Sequence, residues 1–374
     1  MNQNDNYRNF SFVLFGRTIS LSLQAVFYLL FASLMEPESY GRLNVILALA
    51  GTFATFSRFG LNHSLQIFQA KKNSELSEQI STLFVLTTSI ASLVLLPIDI
   101  FAAVLCLASS FFIMNQSYLA GLRKYKQFML NYLLKSILNI GIPVFLFFIF
   151  EIPGIVLGVA ISNLVGSIFY FRVIKIKSIS EIKSNFVTLL HNYGVDIREN
   201  LPRMIDQLLI APLLGFFIVG IYAFNMQIFY AIGIIPGAVY NYVLSEESIG
   251  TQFRRLNLIT VIGVSLFTLL VIGFAPFLIE NFFPKYSEGI LSLQILILAI
   301  IPFSISSILS AKLQAHESKR VGFSAIVRIG SLLGLIVIFG QLYGLIGLSM
   351  AVIISIIADT FFLYLLYRKR FSKK

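Results

Sequence analysis

The sequence predicts an all-α, polytopic membrane protein of about twelve transmembrane helices, and three observations carry that prediction. Charged residues make up 12% of the chain, half of the roughly 25% found in soluble domains. The apolar residues come in runs of about twenty, the length a helix needs to cross some 30 Å of hydrocarbon. The basic residues sort to one side of those runs, the bias that orients membrane helices. The same bias accounts for the net charge of +11, so no nucleic-acid partner is expected and the bilayer is the implied environment.

In chain order, the runs bounded by charge, Pro and Gly are 12–35, 42–63, 79–97, 99–119, 128–150, 154–174, 187–212, 216–243, 256–279, 289–311, 321–339 and 343–367. The first exceeds the apolar core of a signal peptide and has no small-residue cleavage site after it, so it reads as a span. Cys106, the one cysteine, lies inside the fourth run. It excludes an intramolecular disulfide and a cysteine-based metal cluster.

Of the 28 Lys and Arg, 21 fall in the termini, in the loops after the even-numbered runs or near the ends of those runs (Arg58 and Arg172), and five fall deeper inside runs. Only Arg42 and Lys285 lie on the other side, which collects Glu36, Glu38, Asp99, Glu151, Glu280 and Glu288. This predicts a multi-pass protein of the cell (plasma or inner) membrane with both termini cytoplasmic. It also requires an even number of spans, so the run 187–212 crosses despite its charges.

An internal repeat predicts two six-helix lobes, 1–178 and 179–374. The fifth run holds Lys135 and Gly141, and the eleventh holds Arg328 and Gly334 at the same offset. Each leads into a Gly-paired turn and a final span, Gly154/Gly158 and Gly344/Gly347. Parallel halves of this kind bracket a central substrate path. The pairs Gly154/Gly158 and Gly330/Gly334 are expected to allow close helix packing.

Charges inside the runs are the candidate site. A charge at mid-bilayer costs about 2.5–3.5 kcal/mol, so the seventh run must line a watered, protein-walled cavity. Asn192, Asp196, Glu199, Arg203 and Asp206 recur at helical spacing and form one stripe, with Pro202 expected to kink the helix. The stripe suggests a latch in which Arg203 is shared between Glu199 or Asp206 and an incoming anion. The plain alternative is a self-neutralised ladder that only fixes packing. Arg17, Lys135 and Arg328 lie six to eight residues from the cytoplasmic ends of their runs, and Asp359 lies similarly in the last run. Each long cation could instead snorkel; three at matching depth predict a cationic chamber for a phosphate or diphosphate head group. The expected substrate-binding residues are therefore Arg17, Lys135, Arg203 and Arg328, and the expected coupling or gating residues are Asp196, Glu199, Asp206 and Asp359.

No phosphate-binding GxxxxGK[ST] or zinc-binding HExxH motif occurs, and there are only three histidines, so neither ATP hydrolysis nor metal chemistry is predicted. The longest outer loop, about ten residues, is too short for an extracytoplasmic catalytic site. No enzyme and no cofactor are expected.

The stretches PESYGRLNV (37–45), FSRFGLNHSL (56–65), IDQLLIAPLLGFFIVGIYAFN (205–225), APFLIENFFPKYSEG (275–289) and YGLIGLSMA (343–351) resemble, in order and spacing, the multidrug/oligosaccharidyl-lipid/polysaccharide (MOP) exporters, in their polysaccharide-biosynthesis, O-antigen flippase-like branch. The resemblance implies two lobes in a MATE-like V around a cavity that alternates its access. It implies flipping of a polyprenyl-(di)phosphate-linked oligosaccharide, driven by an H+ or Na+ gradient, with a glycan polymerase or ligase as partner machinery. Asp206 falls on the family's usual Asp of the seventh span. A cation-coupled multidrug exporter of the same superfamily is the alternative. It would want carboxylates in the first lobe, where mid-span only Arg17 and Lys135 are charged.

Overall fold

The computed structural model describes residues 3–171, 174, 182, 185–248, 254–315, 321 and 323–371. Among them there is no strand, and thirteen α-helices follow one another: α1 (Gln3–Leu34), α2 (Pro37–Arg58), α3 (Leu61–Ala70), α4 (Ser74–Leu95), α5 (Ile100–Gly121), α6 (Tyr125–Gly166), α7 (Ile168–Phe171), α8 (Phe186–Asn200), α9 (Ile205–Ser248), α10 (Arg254–Phe282), α11 (Ile290–Leu298), α12 (Ile300–Ala315) and α13 (Phe323–Phe371). Seven helices are long and apolar enough to cross a membrane, or eight with α2 and α3 taken as one span bent by 48°.

Three of the long helices are each two spans joined at one broken residue. The breaks are Glu151 (φ 53, ψ −133) in α6, Gly215 (φ 85, ψ 168) in α9 and Gly344 (φ 56, ψ −132) in α13. Divided there, every expected run has a helical counterpart, and the all-α polytopic fold stands.

The breaks also show the repeat in the backbone. Glu151 and Gly344 adopt the same turn at equivalent repeat positions. Just beyond them, a Cβ on Gly154 would meet the carbonyl oxygen of Leu146, and one on Gly347 that of Phe339. These are the same contact made twice. Gly344 takes the positive φ at no steric cost, whereas Glu151 occupies it with a side chain. The helix-packing expectation holds for Gly154 and for Gly158, whose Cβ would meet Pro143. Among the described residues it fails for Gly330 and Gly334: a Cβ there meets nothing within 4 Å. A GxxxG spacing places two glycines on one face without saying whether a helix covers that face.

Contacts divide the chain into two compact units. One is Met1–Phe27 with Val45–Ile205; the other is Tyr28–Asn44 with Asp206–Lys374. The first has a core in which Leu61, Leu65 and Phe68 of α3 pack with Phe84 of α4, Phe111 of α5 and Leu189 of α8.

In the second, the turn into α2 is seated on the later helices. Pro37 and Gly41 approach Phe216 and Gly220 reciprocally, each glycine lying under the other segment's carbonyl oxygen. Lys285 pairs with Glu36 at 2.9 Å, and Tyr40 meets Tyr286 edge-on at 6.0 Å. The six-helix lobes 1–178 and 179–374 are a division by repeat and stay a proposal beside this division by contact.

Candidate substrate and coupling sites

The expected stripe of the seventh span is interrupted. After α8 the chain passes through a 3-10 turn, Leu201–Arg203, with Pro202 at its start, and Met204 leaves helical geometry (φ −129, ψ −40) before α9 begins. Proline has no N–H to continue the ladder and its ring obstructs the preceding turn. The kink expected at Pro202 is there, but a single continuous stripe is not. Asp196 belongs to the first unit and Asp206 to the second. Arg203 sits exposed on the turn between them. The side chains of Glu199 and Arg198 lie outside the described residues.

In the first unit Asp196 is the centre of a buried polar cluster. Arg58 Nε approaches its Oδ2 at 3.4 Å, and the two side chains are each 2% exposed. Asn200 Nδ2 donates to Oδ1 at 2.9 Å and Asn62 Nδ2 at 3.4 Å, with His63 Nε2 3.9 Å away. Local backbone builds this arrangement. Phe59 (φ 48) and Gly60 (φ 70) end α2 in two successive left-handed residues and turn the chain into α3. Gly60 is required, since a Cβ there would fall on the backbone nitrogen of Tyr193. Phe59 stacks on Tyr193 at 4.4 Å, and Asn192 Nδ2 donates to Ser64 Oγ at 2.8 Å.

Thus the break in span 2 is the seat of α8, and Arg58, one residue before it, is carried onto Asp196. By charge sorting alone Arg58 groups with the loop charges. The run 42–63 nevertheless encloses it, and that enclosure is the signal for its burial.

Lys135 also lies in the first unit, half-buried, with Nζ 5.3 Å from the centroid of Phe112. Its helical neighbour Asn131 accepts from Gln116 Nε2 and, at 3.2 Å, from Asn115 Nδ2, which also donates to Gly166 O at 2.9 Å. These amides tie α5 to both halves of α6 and hold the helix that carries Lys135. The side chain of Arg17 lies outside the described residues. One turn along α1, Ser20 Oγ hydrogen-bonds Ser136 Oγ at 2.6 Å, tying that helix to the one bearing Lys135.

In the second unit Asp206 occupies the first turn of α9, where the helix dipole favours a carboxylate. Its Oδ1 accepts from Gln207 N at 2.8 Å and its Oδ2 from Tyr222 Oη at 2.7 Å. Arg328 lies near enough to act electrostatically on both Asp206 and Tyr222, with its guanidinium 5.6 Å from the ring of Phe303. Asp359 is buried, and its Oδ2 accepts from Ser306 Oγ at 2.7 Å.

Asp206 and Arg328, which sequence spacing could not associate, thus lie within electrostatic reach of each other. Lys135 and Arg328 are equivalent in the repeat, and each lies over an aromatic ring of a preceding helix. Ser331, one turn beyond Arg328, donates its hydroxyl to the carbonyl of Val327 at 2.6 Å. Ser355 does the same with Val352 at 2.8 Å.

Residues 7–219 match the family described as polysaccharide biosynthesis protein. The chain belongs to this family. An uncharacterized membrane protein of Methanocaldococcus jannaschii is 25% identical to it, over 93% of this chain and 94% of that one.

Among solved structures, the fold is similar to that of the lipid II flippase MurJ, with a TM-score of 0.76 at 17% identity, covering 95% of this chain and 87% of MurJ. It is similar too to a MATE family multidrug resistance transporter of the MOP superfamily, with a TM-score of 0.71 at 16% identity, covering 96% and 98%. A MOP superfamily transporter from Pyrococcus furiosus matches at 0.55 and 16% identity, covering 98% and 96%. The polysaccharide-biosynthesis family protein thus has the fold of MOP transporters.

Proposed function

We propose that this protein is a transporter that flips a polyprenyl-(di)phosphate-linked oligosaccharide from the cytoplasmic to the outer leaflet during glycan assembly. The observation that carries the reading is the placement of Lys135 and Arg328: two cations within membrane helices, at equivalent positions of the repeat. A phosphate charge about 4 Å from such a group gains on the order of 4 kcal/mol at an effective dielectric near 20, before desolvation. The family's description supports a glycan-related cargo, and MurJ, whose fold is shared, is a lipid II flippase.

In this reading Arg17 and Arg203 complete the phosphate-binding set, and the lobes 1–178 and 179–374 alternate access with both termini in the cytoplasm. Asp206 and Asp359, buried carboxylates in one unit, take up the coupling H+ or Na+. Tyr222 and Gln207 hold the Asp206 carboxylate in place, and Arg328 responds to its charge. Loading the carboxylate therefore changes the field on a residue that contacts the substrate.

The test is reconstitution of the purified chain in proteoliposomes with a fluorescent polyprenyl-diphosphate sugar, reading head-group exposure across the bilayer. Wild type is expected to flip it under an ion gradient, and Lys135→Ala and Arg328→Ala are expected to be impaired. Flipping unaffected by both substitutions, or export of a cationic dye in place of the lipid, would overturn the reading.

A further inference from the structure

Helices α3 and α5 end side by side in the first unit, and both end in the same way. Past α3, Lys72 N donates to Gln69 O at 3.1 Å and Asn73 N to Phe68 O at 3.0 Å. Past α5, Arg123 N donates to Ala120 O and Lys124 N to Leu119 O, both at 3.0 Å. Each pair of bonds closes a Schellman motif, which needs one left-handed residue and usually takes Gly there. Here the left-handed residues are Lys72 (φ 58) and Arg123 (φ 59).

A side chain in that conformation carries a steric cost that Gly does not, and this chain accepts it in two adjacent turns. The turns are adjacent because Gly121 lies against α3: its Cβ would stand 2.7 Å from Gln69 Cβ and 2.9 Å from Gln66 O. Lys71, Lys124 and Lys126 are also exposed on these turns, against the acids Glu75 and half-buried Glu78. A cation near a helix carboxyl end is favourable anywhere in the last turn. Dipole compensation therefore does not call for the strained position.

We infer that this paired basic turn is a docking surface for the phosphodiester head groups of anionic phospholipids in the adjoining leaflet. Both turns follow the ends of helices in the apolar part of the chain, α3 and α5, where a bilayer's head groups would begin. Basic clusters next to transmembrane helices attract anionic lipid. The left-handed turns carry Lys72 and Arg123 on neighbouring segments, as the approach of Gly121 to Gln69 requires.

The experiment titrates short-chain phosphatidylglycerol into the purified full chain in an uncharged maltoside detergent. Short-chain phosphatidylcholine and inorganic phosphate serve as comparison ligands. Wild type is expected to bind phosphatidylglycerol in preference to phosphatidylcholine, with inorganic phosphate a poor competitor. The Lys72→Gly/Arg123→Gly variant is expected to bind it roughly 30-fold more weakly, from two basic contacts. Its lipid-free melting temperature should equal or exceed that of wild type, since Gly suits both turns.

A control variant, Arg368→Gln/Lys369→Gln, removes the same charge from another exposed site and is expected to keep wild-type affinity. Equal loss in the control would make binding a diffuse effect of net charge and overturn the inference. Unchanged binding in the glycine variant, or a lower melting temperature there, would also overturn it. Equal binding of phosphatidylcholine, or full competition by inorganic phosphate, would remove the anionic lipid as the ligand.

Discussion

Arg58 and Asp196 form a buried ion pair whose partners come from opposite sides of a long stretch of chain. Removing one partner leaves the other charge uncompensated, which costs about 3–5 kcal/mol in such settings. Arg58→Ala and Asp196→Ala should therefore each lower the melting temperature strongly. Replacing both, Arg58→Met with Asp196→Leu, should restore most of it; a double variant as unstable as the singles would show that the pair is not what the cluster depends on.

The unit-2 residues call for a functional readout. Arg328→Lys should flip substrate better than Arg328→Ala, because charge survives although the planar fork is lost. Asp206→Asn should reduce gradient-driven flipping more than equilibrium binding of the lipid-linked sugar. Equal losses in both measurements would remove Asp206 from coupling.

Among elements, the seventh span shows how a local signal redirects a longer pattern. The spacing from Asn192 to Asp206 suits one helical face, but Pro202 divides it, and the two parts join different packing units. The latch centred on Arg203 stays a proposal; within the first unit Asp196 lies with Arg58, and within the second Asp206 accepts from Tyr222.

Glycines separate packing from spacing in the same way. Gly154→Ala and Gly347→Ala place a methyl on a backbone carbonyl, and overpacking of this kind costs about 1–3 kcal/mol. Gly334→Ala meets open space, and in a helix interior Ala is favoured over Gly by about 1 kcal/mol. Thermal unfolding should thus show losses for the first two variants and none for the third. A destabilised Gly334→Ala would mean that another surface covers that face.

For the whole molecule, the sorting of basic residues predicts orientation. The sole cysteine, Cys106, is buried, so single introduced cysteines can be read against a low background. Probes at Lys72 and Arg123 should label from the cytoplasm, and a probe at Lys285 only from outside. Labelling of Lys72 and Lys285 from one side would overturn the topology. The pairs Arg42–Glu38 at 2.8 Å and Lys285–Glu36 at 2.9 Å show how the two basic residues placed on the acidic side are neutralised there.

By itself the sequence determined the class of fold, the order and length of the spans, and the repeat that relates Lys135 to Arg328. These follow from apolar run length, charge sorting and residue spacing, which act locally along the chain. Only the tertiary structure decided which charges meet. Arg58 reaches Asp196 because Phe59 and Gly60 turn α2 into α3, and Gly60 lets the backbone of α8 approach. Arg328 lies near Asp206 because separate helices of the second unit pack together. A buried charge can be recognised from the apolar residues around it, but its partner is set by packing between distant segments, which no local pattern encodes.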